Sequence, residues 1–508
     1  MDILLATINA RYHHTSLGLR YLFANLAELQ PQSEIVEFVL GKNPRDIAET
    51  LLAKKPKIIG LGVYIWNTNQ TFEVISHLKK IAPEVILVLG GPEISYESEK
   101  QNLFPLTDYV IQGESEFLFR DLCREILNEE VLNGKLVAGT RPEKLSSRKL
   151  ISGPLPEIND IKFPYDYYSN EDLAHRVIYV EASRGCPYKC EYCLSSMEES
   201  VRNFDVNLFL AETQKLLDRG ARSFKFLDRT FNLRPSISCR ILEFFLERRE
   251  LGLFLHFEMV PDRLPEEIRT LIKKFPKGSL QFEIGVQTWS PIVATNVSRR
   301  QDYLKIEENF QFLREQTGVH THADLIVGLP GETKESFARG FDVLAKCEVD
   351  EIQVGILKRL KGTPIIRHDQ EYEMVYSDQP PFQILKNKDI DFFEMQKFNR
   401  FAQFWDLYAN SGNFGLLMNF LKRLASEKHR ESLFEVFWDF SQFLSSRHAQ
   451  THAISRGALM DSAEVYLVKL GLSPEQASEI IRSSSKAQTL KSTSRSSARQ
   501  QKHAKAEN

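Results

Sequence analysis

Three of the six cysteines in this 508-residue chain, Cys186, Cys190 and Cys193, fall within eight residues. Cys123, Cys239 and Cys347 are scattered, so the pattern is not a disulfide scaffold, and in a reducing compartment such a cluster indicates a metal site. On a regular helix positions 186, 190 and 193 would share a face. Gly185 and Pro187 predict instead a loop wrapped around its ligand. Zinc would require a fourth ligand at short spacing, and the nearest histidine, His175, precedes the strand leading into the loop. Three thiolates with no fourth suit an iron–sulfur cluster with one iron left open. A structural zinc or a redox dithiol is the alternative.

A strand over 177–181 delivers this loop, and a strand–helix rhythm follows it. Strands are expected at 223–227, 254–259, 280–286, 322–327 and 351–356, with helices between them. Six strands in this order predict a partial (β/α) barrel over 173–365, with functional groups at the strands' carboxyl ends. The residues there are polar: Asp228, Glu258, Gly285 and Gln287, then the loops 328–333 and 361–364. Glu283 reads as a strand residue paired with a barrel-lining base, and Asp324 as buried by pattern.

Residues 1–140 alternate short apolar runs with helical periodicity, which predicts a parallel sheet wound on both faces, ligands binding at its strand ends. Gly90, Gly91 and Gly113 fall there and permit close backbone approach to a ligand. No Gly-x-Gly-x-x-Gly follows the first strand, so a dinucleotide fingerprint is missing. Residues 141–172 carry several prolines and glycines without periodicity and read as a linker. From 366 to 481 the pattern is helical, with eleven phenylalanines between Phe392 and Phe443 that fit the core of a bundle. Residues 482–508 carry seven Lys or Arg against one Glu and read as a disordered basic tail, the only hint of a nucleic-acid contact.

The cysteine spacing, with Tyr192 just before the third cysteine, resembles the signature of the radical S-adenosylmethionine (SAM) superfamily. That resemblance implies a 4Fe-4S cluster on Cys186, Cys190 and Cys193, whose open iron chelates SAM for reductive cleavage to a 5′-deoxyadenosyl radical. It also implies SAM contacts at the strand ends, Asp228 on the amino group and the glycine-rich turn at Gly285 and Gln287; Glu258, which ends the third strand, is a further candidate by its position. The segments Ser16–Leu22, Leu89–Glu93 and Gln112–Glu116 resemble the cobalamin-binding domain that precedes many radical enzymes. The Asp-x-His-x-x-Gly motif that supplies a histidine to cobalt is missing, which implies cobalamin without a histidine ligand. Trp66 sits at a strand end, beneath the macrocycle or as a packing aromatic. The helical end resembles the C-terminal module of an uncharacterised cobalamin-linked radical subfamily and is expected to cap the barrel mouth.

Hydrophobic residues make up 42% of the chain, and 65 basic residues nearly balance 68 acidic ones, for a net charge of -3. This excludes general disorder and polyanion binding by the chain as a whole. No apolar run reaches the ~18 residues of a membrane span, and the N-terminus has no basic leader, so a cytoplasmic protein is expected. The leading expectation is methylation of an unactivated carbon, with an electron donor such as flavodoxin or ferredoxin as partner. The alternatives are a radical rearrangement or cyclisation without methyl transfer, and a non-catalytic cobalamin or redox sensor. An RNA methylthiotransferase would want three further N-terminal cysteines, and the first 122 residues have none.

Overall fold

The computed structural model describes residues 1–132, 145–198, 200–427 and 432–483. The basic tail beyond residue 483 and the start of the expected linker, residues 141–144, lie outside the described residues.

The N-terminal sheet is wholly parallel, in the order β2–β1–β3–β4–β5–β6. Its strands are β1 (Ile3–Asn9), β2 (Ser33–Val39), β3 (Ile58–Gly62), β4 (Ile86–Gly90), β5 (Tyr109–Ile111) and β6 (Leu150–Ile151). All seven residues of β1 are buried, as a central strand covered on both faces requires. The connecting helices are α1 (Leu17–Ala24), α2 (Pro44–Leu52), α3 (Thr68–Ile81) and α4 (Glu116–Leu132). Local chemistry starts them: the Ser16 side chain accepts from the Leu19 amide, and Pro44 opens α2 behind Asn43.

The segment expected as a linker is structured where it is described. Leu150 and Ile151 pair with Val110 and Ile111 as the sheet's edge, two residues being too few for a periodicity to show. Ile158, Ile161, Tyr165 and Tyr168 are buried in the barrel's core, and α5 (Asn170–His175) begins with a reciprocal Ser169–Asp172 capping box.

The second sheet is also parallel, in the order β7–β10–β11–β12–β13–β14. Its strands are β7 (Ile178–Val180), β10 (Ser223–Phe226), β11 (Phe254–Met259), β12 (Leu280–Gln287), β13 (His320–Val327) and β14 (Glu351–Ile356). Between β7 and β10, a small antiparallel ribbon of β8 (Ser183–Arg184) and β9 (Arg202–Asn203) flanks the cysteine loop. Buried and half-open positions alternate strictly along β12 and β13. Leu280, Phe282, Ile284 and Val286 are buried, whereas Glu283, Gly285 and Gln287 border a cavity. The helices are α6 (Val206–Asp218), α7 (Pro235–Leu246), α8 (Glu266–Ile272), α9 (Pro291–Asn296), α10 (Tyr303–Gln316) and α11 (Lys334–Lys346).

The C-terminal helices are α12 (Phe392–Trp405), α13 (Gly415–Glu427), α14 (Leu433–Arg447) and α15 (Arg456–Lys469). The segment leading into α12 and the first turn of that helix pack at the strand ends, where Ile384, Asn387 and Met395 lie against Gly328 just beyond β13 and His368 meets Glu191, while the rest of the module packs on the side of the barrel. Phe401 and Phe434 meet Phe341 of α11, and the Asn410 amide clasps both backbone groups of Ile352 in β14. The aromatic stripe of α12 and α14 thus covers α11 and the edge strand. None of the module's described residues lines either of the two strand-end cavities.

Candidate active site: two adjoining cavities

Cys186, Cys190 and Cys193 line one cavity of ≈ 230 Å³ at the carboxyl ends of the second sheet. Gly185 turns the chain into the loop at φ +92°, where a Cβ would stand 2.2 Å from the Ser200 carbonyl oxygen. Glu191, inside the motif, anchors the loop rather than facing the cavity. Its carboxylate meets Ser298 Oγ at 2.5 Å, His368 Nε2 at 2.9 Å and the Arg367 guanidinium, and it is 2% exposed. Arg299 donates to Cys190 Sγ at 3.4 Å and to Tyr192 Oη at 3.3 Å. Sequence reasoning passed over Glu191 and Arg299, since their partners come from distant loops. Burial pushes the Cys186 thiol up, and the neighbouring Cys193 and Cys190 add to this, so the three sulfurs are electrostatically close. Among the described residues no three His, Cys, Asp or Glu side chains converge on a single metal ion. Thiols spread around a shared cavity fit a cluster in which each takes its own iron, and do not fit a closed zinc site.

Four carboxylates border the same cavity, and one of them, Asp262, accepts from the Asp302 amide at 3.0 Å. Glu283 is engaged by His256 at 2.9 Å and Lys225 at 3.2 Å, which outweigh its burial and hold it down at about 2. Asp324 pairs with His322 at 2.9 Å. Glu258 meets Arg229 through one nitrogen, at 3.1 and 3.2 Å. Gly285 and Gln287 line the cavity as well, where β12 bulges and Gln287 takes φ +71°. Asp228 does not border it. Its carboxylate accepts from the Ala182 amide at 3.0 Å and from Ser183 Oγ at 2.5 Å, beneath the entry to the cysteine loop. Burial pushes it up to about 7. Both oxygens are already used by the protein, so Asp228 holds the loop in place instead of reaching a ligand on the rim.

The first sheet carries a cavity of ≈ 380 Å³ at its strand ends, against the barrel; it is the first of the pair, and the cysteine-lined cavity of the second sheet is the second. Gly18, Gly60, Gly62, Gly90, Gly91 and Gly113 line it together with Tyr64, and no histidine does. A Cβ on Gly113 would meet nothing within 4 Å, and one on Gly90 only the Ile111 carbonyl oxygen at 3.6 Å, so side chains there would take up cavity space. Gly91 differs: at φ +107° its Cβ would lie 2.6 Å from the Val63 carbonyl oxygen, so the fold itself requires glycine. Trp66 stands outside the lining. It stacks on Tyr64 at 4.5 Å and donates to the Ile8 carbonyl, so of this stacked pair it is Tyr64 that faces the cavity, which Tyr21 and Phe119 also line. His13 and His14 are also outside, His14 meeting Tyr179 at 2.6 Å where the two sheets join.

The radical SAM superfamily matches residues 180–344, and the B12 binding domain matches residues 3–122. The chain is a radical SAM protein with a B12 binding domain. A protein family of unknown function, DUF4080, matches residues 370–506. An uncharacterized methyltransferase of Pyrococcus horikoshii is 24% identical over 367 residues, 68% of this chain and 76% of its own. The cobalamin-dependent radical SAM methyltransferase TokK of Streptomyces tokunonensis is 24% identical over 345 residues, 61% of this chain. The chain spans 48% of TokK's length. The solved structure of the radical SAM methyltransferase TsrM from Kitasatospora setae, with cobalamin and a 4Fe-4S cluster bound, superposes with a TM-score of 0.58 at 16% identity. It covers 75% of this chain and 82% of its own, and shows a shared fold.

In this radical SAM protein the B12 binding domain is clamped to the barrel by charge. Arg184, beside the cysteine loop, joins Glu114 and Glu116 of the first domain at 2.7 Å each, and Glu181 at 2.8 Å. Lys361 and Arg359, beyond β14, reach Glu93 and Glu97. Arg20 and Arg176 share Glu37 and Asp172. The clamps set the two cavities side by side, and Ser195 and Arg229 line both. No helix among the described residues is long and apolar enough to cross a membrane.

Proposed function

We propose that the protein is a cobalamin-dependent radical SAM methyltransferase that methylates an unactivated carbon. The observation that carries the reading is the shared wall. A cavity lined by glycines at the strand ends adjoins one lined by three cysteines, with Arg229 and Ser195 common to both. The P. horikoshii relative, TokK and TsrM are named as methyltransferases, which supports methyl transfer over rearrangement.

Cys186, Cys190 and Cys193 would hold the cluster, and the first cavity the corrinoid. When bound, the cluster supplies the electron that cleaves SAM and the corrinoid carries the methyl group. The chain's residues bind and orient. Glu258 is the acid for the SAM ammonium, because its base, Arg229, holds it through a single nitrogen and itself lines the cavity, whereas Glu283 and Asp324 are paired with Lys225, His256 and His322 behind the lining. Gly285 and Gln287 present backbone and amide groups at the bulge. Asp228 and Glu191 fix the loop bearing the thiols. The glycine backbone and Tyr64 would hold the corrinoid, with no histidine in the lining to supply a ligand to it. A reductant such as flavodoxin or ferredoxin is the expected partner.

The test is anaerobic incubation of the reconstituted protein with methyl-labelled SAM and an extract of small molecules and macromolecules. Label in a new carbon–methyl bond supports the reading. SAM cleavage with no label transferred to the corrinoid or to product favours the rearrangement reading.

A further inference from the structure

Arg229 belongs to the wall between the cavities, and its environment is two-sided. On the cysteine side it pairs with Glu258, by one nitrogen at 3.1 and 3.2 Å. On the corrinoid side lies Glu198, which lines the first cavity with Arg229. Glu198 has a buried oxygen, Oε2, with no hydrogen-bond partner. Burial raises its carboxyl, while Arg184 and Arg229 pull it down, so the guanidinium is within electrostatic reach. Arg184 is committed to Glu181, Glu114 and Glu116. The Arg229 side chain is 51% open where it faces the cavities, leaving room to move. A buried acceptor without a donor is costly, and a charge-assisted pair is the strongest remedy.

We propose that Arg229 is an exchangeable partition, paired with Glu258 while the cysteine-side cavity holds no ammonium group, and with Glu198 once the ammonium of SAM takes Glu258. The proposal rests on the reading of the second cavity as a SAM site. Arg229 acts as a positioning residue. Its departure from Glu258 frees that carboxylate for the ligand and moves a positive charge from one cavity toward the other. Loading of SAM is thereby felt in the corrinoid cavity, and by linkage the coupling runs both ways.

The exchange makes a signed prediction for SAM affinity, measured by equilibrium dialysis on protein loaded with cluster and cobalamin. Arg229→Leu removes the competitor for Glu258 and tightens SAM about tenfold, the order of one charge-assisted pair. Glu198→Gln weakens the alternative seat and loosens SAM by a similar order. In the Arg229→Leu background Glu198→Gln has no effect, because Glu198 acts only through Arg229. Simple attraction of a cationic ligand by a nearby carboxylate would leave the Glu198→Gln effect intact in that background, and this outcome overturns the exchange. A second readout is corrinoid absorption, which SAM shifts in the unmodified protein and not in Arg229→Leu. Iron content and retained cobalamin check the fold of each variant, and Arg229→Gln replaces the leucine variant if that one fails to load. If the unmodified, cluster-loaded protein binds no SAM at all, the reading of the site fails. If it binds SAM and the cycle is flat, only the exchange fails.

Discussion

The two cavities are built on opposite principles. The first is made by omission: glycines at the ends of β3 and β4 and at Gly113 withhold side chains, and the lining is mostly apolar or backbone. The second is made by commission: thiols, carboxylates and guanidinium groups crowd its walls, paired with one another or with side chains just behind them. A large ligand held by shape and backbone needs space. A ligand set that carries charge and electrons needs donors fixed in place. The contrast teaches that substitutions adding bulk should disable the first cavity, and substitutions removing a functional group the second.

The sharpest break is expected at the thiols. Cys186→Ala, Cys190→Ala or Cys193→Ala should each take iron content from about four per chain toward none and abolish reductive SAM cleavage. Cys123→Ala, Cys239→Ala and Cys347→Ala should leave both unchanged; an equally essential scattered cysteine would undo the ligand assignment.

Next comes Gly90→Val. It should abolish cobalamin retention while the cluster still assembles, since its Cβ meets only an ordinary contact within the fold. Gly91→Val should instead lower stability with or without cobalamin, because the Val63 carbonyl occupies the Cβ position. Equal melting losses in the two variants would erase the distinction between space for a ligand and space for the chain.

A smaller effect belongs to Glu258→Gln, which should weaken SAM by about 1.5–3 kcal/mol, read by equilibrium dialysis, with iron content unchanged. Asp228→Ala provides the contrast, acting through the loop and lowering iron retention before SAM affinity.

Asp228 also predicts a pH dependence. Its carboxyl is raised in the folded protein to about 7, against about 3.9 in an unfolded chain. Between these values the native state binds the extra proton, so stability is full below about pH 4 and is lost as pH rises through about 7. Asp228→Asn should flatten that slope in denaturant titrations at a series of pH values; an unchanged slope would assign it to other groups.

The smallest effect is expected of Trp66→Ala. It should leave the cobalt spectrum nearly unchanged, while Tyr64→Ala alters it, because Tyr64 lines the cavity and Trp66 only backs it.

Much of this was legible in the sequence. Periodicity gave both parallel sheets, and the cysteine spacing gave the metal loop, because each is encoded within a few residues. Gly285, Gln287 and Glu258 were placed at the rim by strand position alone, and the structure sets them there. Asp228 was expected on the same rim, and the structure turns its carboxylate under the cysteine loop instead. A strand-end residue has two directions to point, and the short distance to Ala182 and Ser183 turns it under the loop. Trp66 stands behind the cavity, whereas Gly91 lines it and also answers a need of the fold, the close approach of the Val63 carbonyl. The role of the helical module depended on the long-range match of its aromatic stripe to α11, to which no local signal points. Arg229 went unchosen because its importance comes from two acids brought together by separate loops.

The most direct test of two cavities serving one reaction is electron paramagnetic resonance of the protein loaded anaerobically with cob(II)alamin. The account predicts a retained corrinoid signal without nitrogen superhyperfine splitting, because no histidine lines the glycine cavity. Nitrogen splitting from an axial ligand, or failure to retain any cobalamin, would contradict it.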